Sequence, residues 1–313
     1  MKILIIRLSS IGDVIMTTPI IRCIKKSTKA QLFFLTNLVN HPVLSSNPFI
    51  DKIFAPEDIS THDINSMSLI IDLHNHKKSR AYYRHTKINY LRTDKMPIRK
   101  WLMLLFKINL LDASHVIDRH FDCIKNISTY DDGIGMDIYY TNPYNSLVIK
   151  REPDIIINVG GSKMTKRIPK SLVQQISLQT KRSITLIGGE DVLSEYGNLT
   201  GENMTNLVGT LSLQESFYLL NKCNILITGD SAMMHAAAAM NKDQIIIWGS
   251  TSREFGFSPY YGFKHKNRAK SIEQSLPCRP CSKYGRDVCP KGHLNCLVNI
   301  SAKEVLLTMN CLQ

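Results

Sequence analysis

No apolar run in this 313-residue chain is long enough to cross a bilayer. The longest candidate, Trp101-Leu-Met-Leu-Leu-Phe106, falls far short of the roughly 20 residues a spanning helix needs. The opening residues do not read as a secretory leader. Arg7 interrupts the first apolar run, and fold-like sequence follows directly. Both absences point to a cytoplasmic protein. No short repeat or low-complexity segment is visible. Acids are nearly missing from residues 73–107. There Lys77, Lys78, Arg80, Arg84, Lys87, Arg92, Lys95, Arg99, Lys100 and Lys107 stand against the single acid Asp94, a local charge of +9 within an overall +13. Such a block implies an anionic partner: phosphorylated lipid, a membrane surface or nucleic acid. Tyr82, Tyr83, Tyr90 and Trp101 are interleaved with it, a pattern that nucleic-acid binders share.

What is present is an ordinary globular composition, 43% hydrophobic and 21% charged, in a chain long enough for two domains. Strands are expected at 3–6, 31–35, 52–54 and 69–72, then at 154–159, 183–187, 225–228 and 244–248. Helical patterns lie between them, at 14–26, 170–180, 213–221 and 231–240. This alternation predicts an α/β fold with mostly parallel sheets and crossover helices. The strands are apolar on both faces, as strands covered by helices on both sides must be. The series restarts near residue 154, after turn signals in Thr141-Asn-Pro-Tyr-Asn145 and Glu152-Pro153. Two Rossmann-like domains, 1–150 and 151–313, are expected. A last helix at 302–309 is expected to pack back on the first domain.

The first motif is Ser9-Ser10-Ile-Gly12-Asp13, which follows the opening strand. Ligands of open parallel sheets bind beyond the carboxyl ends of strands. Gly12 lets backbone approach a ligand, Ser10 offers a hydroxyl, and Asp13 can take a proton. The competing role for Asp13 is a helix cap. The second motif, Asn158-Val-Gly160-Gly161-Ser162-Lys163-Met-Thr165-Lys166-Arg167-Ile-Pro169, joins a glycine turn to a basic cluster. Its amides and Lys166 suit a diphosphate, although it is not a Walker A loop. The third, Gly229-Asp230-Ser231-Ala232-Met-Met-His235, opens a helix whose orphan amides attract phosphate. His235 lies one turn in, as a cleft residue or as a structural histidine among alanines. The fourth is Cys278-x2-Cys281-x7-Cys289-x6-Cys296 with His293, four thiols within nineteen residues. Cytosolic disulfides are rare, so a structural zinc or iron site is one reading and buried reduced thiols the other.

Taken in order, these segments resemble glycosyltransferase family 9, the ADP-heptose lipopolysaccharide heptosyltransferases. Ile6-Arg-Leu-Ser-Ser-Ile-Gly-Asp-Val-Ile-Met-Thr-Thr-Pro19 looks like the family's opening signature. Thr165-Lys-Arg-Ile-Pro169 looks like its Lys-Arg-Trp-Pro segment. Asn206-Leu-Val-Gly209-Thr-Leu-Ser212 and Asp230-Ser-Ala-Met-Met-His235 resemble its donor signature, and the cysteine-rich tail that of one subgroup. The resemblance implies a GT-B fold, with acceptor on the first domain and nucleotide-sugar on the second. It implies inverting transfer that needs no metal, with Asp13 as general base. Donor contacts would come from Ser10, Gly12, Gly161, Ser162, Lys166, Glu190, Asp230, Ser231, Ala232 and His235, with Glu190 on the adenosine ribose. Acceptor contacts to the phosphorylated inner core and lipid A would come from Arg7, Lys77, Lys78, Arg80 and Arg119. Peripheral attachment to the inner membrane follows from that acceptor. Ile168 and Ala232 stand where the family usually has Trp and Gly, and both are expected near the donor. Two other readings compete: the same fold with another nucleotide-sugar or a protein acceptor, and a basic nucleic-acid-binding protein with a structural metal. The second gives Asp13 and Asp230 no role, so nucleic acid is not the expected partner.

Overall fold

The computed structural model describes residues 1–111, 114–127, 129–141 and 152–312. The expected domain boundary near 141–153 therefore lies almost wholly outside the described residues. The first half builds a parallel sheet from β1 (Lys2–Ile6), β2 (Gln31–Leu35), β3 (Lys52–Phe54), β4 (Leu69–Asp72) and β5 (Asn89–Arg92), in the order β3-β2-β1-β4-β5. The second half builds another from β6 (Ile155–Asn158), β7 (Ile184–Ile187), β8 (Met204–Asn206), β9 (Ile225–Gly229), β10 (Asp243–Trp248) and β11 (Ala269–Glu273), in the order β8-β7-β6-β9-β10-β11. β1 lies between β2 and β4, and β6 between β7 and β9, all in parallel register. Strand order reverses at β1/β4 and again at β6/β9. Such switch points open a crevice beyond the carboxyl ends of the strands.

The eight expected strands all form, within a residue or two of their expected ends. β5, β8 and β11 were not expected. They are edge strands with polar or exposed residues, so no continuous apolar run marks them. The expected helix at 14–26 is two helices, Ile11–Ile15 and Thr18–Ser27. Pro19 has no amide to give the Ile15 carbonyl, and the Thr18 hydroxyl donates to it instead at 2.7 Å. The first helix begins early because Ser10 caps it and Asp13, its third residue, accepts from the Ser10 amide at 3.0 Å.

One apolar cluster runs through both halves. It joins Ile3, Ile5, Val14 and Met16 to Ile156, Phe217, Leu226, Met233 and Ala236. The helices Ile11–Ile15 and Ala232–Ala239 form the closest element contact across the junction. A second cluster fills the far side of the second sheet. Helix Ala302–Asn310 belongs there: Ala302, Val305 and Met309 pack toward helix Lys170–Gln179 and β10. This corrects the expectation that it returns to the first domain. Its apolar face matches the uncovered side of the nearer sheet.

Candidate active site

The two switch points open onto one cavity of about 590 Å³. The first half supplies Ser9, Ser10, Gly12 and Asp13. The second supplies Gly160, Gly161, Ser162, Lys166, Asp230, Ser231, Ala232 and His235. Three motifs far apart in sequence thus meet in one place.

Asp13 is fixed from two sides. It forms an ion pair with Arg7 and accepts from the Ser10 hydroxyl at 2.9 Å. Burial pushes its carboxyl up, but the Arg7 charge and hydrogen bond, with those from Ser10, outweigh burial and hold it well below the usual carboxylate range. Both competing roles coexist: Asp13 completes the capping box and presents an ionised carboxylate to the cavity. Arg7 is itself committed. Its guanidinium donates to the Ser9 carbonyl at 3.0 Å and the Leu73 carbonyl at 2.5 Å, and it is 8% exposed. Arg7, expected among the acceptor contacts, lies outside the cavity lining and orients Asp13. Arg119 is also buried, donating to the Phe255 carbonyl at 3.3 Å. It too lies outside the cavity lining. Lys77, Lys78 and Arg80 stand exposed just beyond the end of β4, outside the lining.

On the opposite wall Lys166 and Asp230 form an ion pair at 3.0 Å, each about one-eighth exposed. The Lys166 loop lies flush on the strand ends because Gly229 and Gly249 have no side chain. A Cβ at Gly229 would come within 2.0 Å of the Lys166 carbonyl, and one at Gly249 within 2.2 Å of the Thr165 carbonyl. Asn158, at the end of an Ile-Ile-Ile run, donates to the Gly160 carbonyl at 3.1 Å and to the Thr228 and Ser231 hydroxyls at 3.0 Å each. This takes the Ser231 side chain away from capping its own helix. The first-turn amides of helix Ala232–Ala239 are left for a ligand. His235 is 4% exposed, packs on Gly12 and leaves Nδ1 without a partner among the described residues. Burial pushes its pKa down to about 4, so it is neutral at pH 7.

Two residues expected near the donor lie outside the cavity lining. Glu190 is exposed, while its neighbours Gly188, Gly189 and Asp191 form the cavity edge. Ile168 is buried in the second core, where its carbonyl accepts from the Tyr196 hydroxyl at 2.7 Å. It therefore does not face the cavity, because Pro169 follows it and turns the chain into the next helix. Ala232 does line the cavity. Asn158, Gly229, Phe257, Lys283 and Tyr284 were not foreseen. Asn158 carried a signal: an amide closing an otherwise apolar buried strand.

Residues 65–291 match the sequence profile of Glycosyltransferase family 9 (heptosyltransferase). The chain belongs to this family. As a family 9 glycosyltransferase it is 24% identical to lipopolysaccharide heptosyltransferase 1 of Campylobacter coli, over 80% of this chain and 84% of that one. Its GT-B fold is shared with E. coli ADP-heptose LPS heptosyltransferase II, at TM-score 0.72 and 20% identity over 100% of this chain and 98% of that one. It is also similar to the iron-containing dodecameric glycosyltransferase TibC of enterotoxigenic E. coli, at TM-score 0.64 and 13% identity over 99% of this chain and 75% of that one.

In this family 9 enzyme Cys278, Cys281, Cys289, Cys296 and His293 line a second cavity of about 280 Å³. All four thiols are free, and Cys278 Sγ lies 3.9 Å from His293 Nε2. Burial opposes ionisation of Cys289, but the backbone amides of Leu294, Lys291, Gly292 and His293 lower its thiol. Among the described residues, only Cys23, Asp131 and Asp132 bring three ligand atoms within 4.8 Å of one another. There Asp132 is already engaged by Arg22 and Lys26, and Asp131 by Tyr260. Burial pushes the Cys23 thiol up to about 11. The two aspartates are held in a half-buried network of ion pairs and hydrogen bonds.

Proposed function

We propose that this glycosyltransferase moves heptose from ADP-heptose to a sugar hydroxyl of the lipopolysaccharide inner core. The supporting observation is one cavity with an ionised carboxylate on one wall and a cationic, amide-rich phosphate seat on the other. The names of the relatives support heptose as the sugar and lipopolysaccharide as the acceptor. Asp13 takes the proton of the acceptor hydroxyl as its oxygen attacks the anomeric carbon. The bond from that carbon to the diphosphate breaks. Lys166 and the amides after Ser231 receive the charge that develops on ADP. The Gly188–Asp191 edge, with Glu190, lies along the ribose. Residues 1–150 hold the acceptor and 151–313 the donor. Calorimetry checks the donor: ADP-heptose should bind at least about tenfold tighter than UDP- or GDP-sugars, ~1.4 kcal/mol. Equal or tighter binding of those sugars rejects it.

The same reading places the enzyme on the cytoplasmic face of the inner membrane. Among the described residues no helix is long and apolar enough to cross a membrane. Helix Pro97–Phe106 turns Lys100 and Met103 inward and leaves Ile98, Trp101, Leu105 and Phe106 exposed, with Ile108 and Leu110 beyond. An apolar stripe beside a basic block suits the surface of an anionic bilayer. Trp101→Glu should weaken co-sedimentation with phosphatidylglycerol vesicles roughly tenfold. Unchanged co-sedimentation rejects this placement.

The cysteine cavity fits a metal in its donor set and in the amides around Cys289. Its sulfurs would have to draw together, since no three lie within 4.8 Å. Cys278, Cys281, Cys289 and Cys296 would hold iron or zinc as a structural centre, as the iron of TibC suggests. Protein purified under reducing, chelator-free conditions should carry about one metal per chain. Metal-free, fully folded protein removes the site.

A further inference from the structure

The lining of the active-site cavity includes Lys283, which the transfer chemistry does not use, and Lys100 meets the same Phe257 ring as Lys283. Lys95 and Lys100 come from the first half; Lys283 comes from the cysteine-rich segment of the second. Lys100 is 4% exposed, yet its ammonium has no hydrogen-bond or ion-pair partner among the described residues. It lies 5.3 Å from the centre of the Phe257 ring, and Lys283 lies 6.0 Å from the same ring. Phe257, Lys283 and Tyr284 line the cavity together with Asp13. Lys95 and Lys283 likewise lack a carboxylate within ion-pair distance among the described residues.

Repulsion leads among the charges around Lys95 and Lys100. Arg7 and Lys283 act on Lys95, with Asp13 and Asp72 opposing. Lys283, Arg119 and Lys95 act on Lys100, with Asp94 opposing. On Lys283 the attraction of Asp13 is the largest charge effect, opposed by Arg119 and Arg7. Burial, the largest cause, pushes Lys95 and Lys283 down to about 8, and Lys100 to about 7. Buried charge is normally paired, and cations gathered without a counter-ion are costly. An anion placed among them would remove the repulsion.

We propose that Lys100 and Lys283 form an anion subsite beside Asp13, spanning both halves, which takes a carboxylate or phosphate group of the acceptor. The proposal rests on the transferase reading for its acceptor, but its charge geometry is independent of the donor. Lys283 reaches this subsite because the cysteine-rich segment is stitched to the donor wall. The Thr165 amide donates to the Arg286 carbonyl at 3.1 Å, and the Arg286 amide to the Thr165 hydroxyl at 2.8 Å. Gly285 seats against Lys166, where a Cβ would come within 2.7 Å of its Cδ. The cysteine-rich segment is therefore part of acceptor recognition and not a remote staple.

The experiment titrates inorganic phosphate into the full chain, with and without saturating ADP, by calorimetry. ADP occupies the Lys166 seat, so phosphate binding that persists in its presence reports the lysine subsite. Lys283→Gln and Lys100→Gln should each weaken that binding about tenfold or more, and Lys283→Arg should retain it within about threefold, as expected when a charge is lost or kept. ADP affinity should stay unchanged in all three. Phosphate binding unaltered by Lys283→Gln overturns the proposal. So does a parallel loss of ADP affinity, which would assign the lysines to the donor diphosphate. Lys100→Met, which keeps the buried stem and loses the charge, serves where Lys100→Gln fails to fold. Failure of wild-type protein to bind ADP would instead count against the donor reading and leave the phosphate titration interpretable.

Discussion

Asp13→Asn should lower turnover by ~10²–10⁴-fold, the usual worth of a positioned base, while ADP binds as before. Asparagine can still accept from the Ser10 amide, so the helix start survives; what it loses is the negative charge and the basic lone pair. Single-turnover rates and ADP calorimetry on the same preparation check both halves of this outcome. Near-normal turnover would reject Asp13 as the base. The Arg7 pair adds a pH signature. Because the carboxyl is held far below its ordinary value, Asp13 contributes no acid limb to kcat/KM near neutral pH. Arg7→Met removes the charge and the hydrogen bond that, together with Ser10, outweigh burial. The carboxyl then rises, and an acid limb should move into the measurable range. A group with a depressed pKa stabilises the fold above its unfolded value and loses that contribution as pH falls. The Arg7–Asp13 pair is thus an acid-labile element of the junction.

Lys166→Met should cost ~10²–10³-fold in kcat, the range for removing one preorganised group that meets transition-state charge. It should also weaken ADP binding, which separates it from Asp13→Asn. Methionine keeps most of the stem that packs on Gly285, so the loop should hold its place. The substitution leaves Asp230 partly buried without its cation, next to where phosphate would sit. Asp230→Asn in the Lys166→Met background should therefore recover part of the lost ADP affinity. No recovery would mean that Asp230 contacts the donor directly.

Much of this site was legible before any coordinates. The three motifs holding Asp13, Lys166 and His235 announce themselves because strand ends, glycine turns and helix starts leave local marks. Their convergence follows from two sheets with the same strand order. Other features depend on long-range geometry that leaves no such mark. Arg7 looks like a free cation in a row of apolar residues; only the fold shows it locked onto Asp13 and two carbonyls. Glu190 and Asp191 are adjacent acids, and only the turn after β7 decides which one borders the cavity. Ile168 reads as a donor-site substitution, yet its side chain points into the core. Lys283 sits in a segment whose thiols dominate the reading, and no spacing rule links it to Asp13.

The contact of Gly12 with His235 has a consequence for engineering. A Cβ at Gly12 would come within 2.8 Å of the imidazole, and the apolar cluster is continuous through the same junction. The first half is therefore not an exchangeable module. A chimaera that borrows its first half from a relative must import the matching face of helix Ala232–Ala239 with it. If the proposed subsite holds, new acceptor preferences should come more easily from Lys100 and Lys283 than from swapping whole halves.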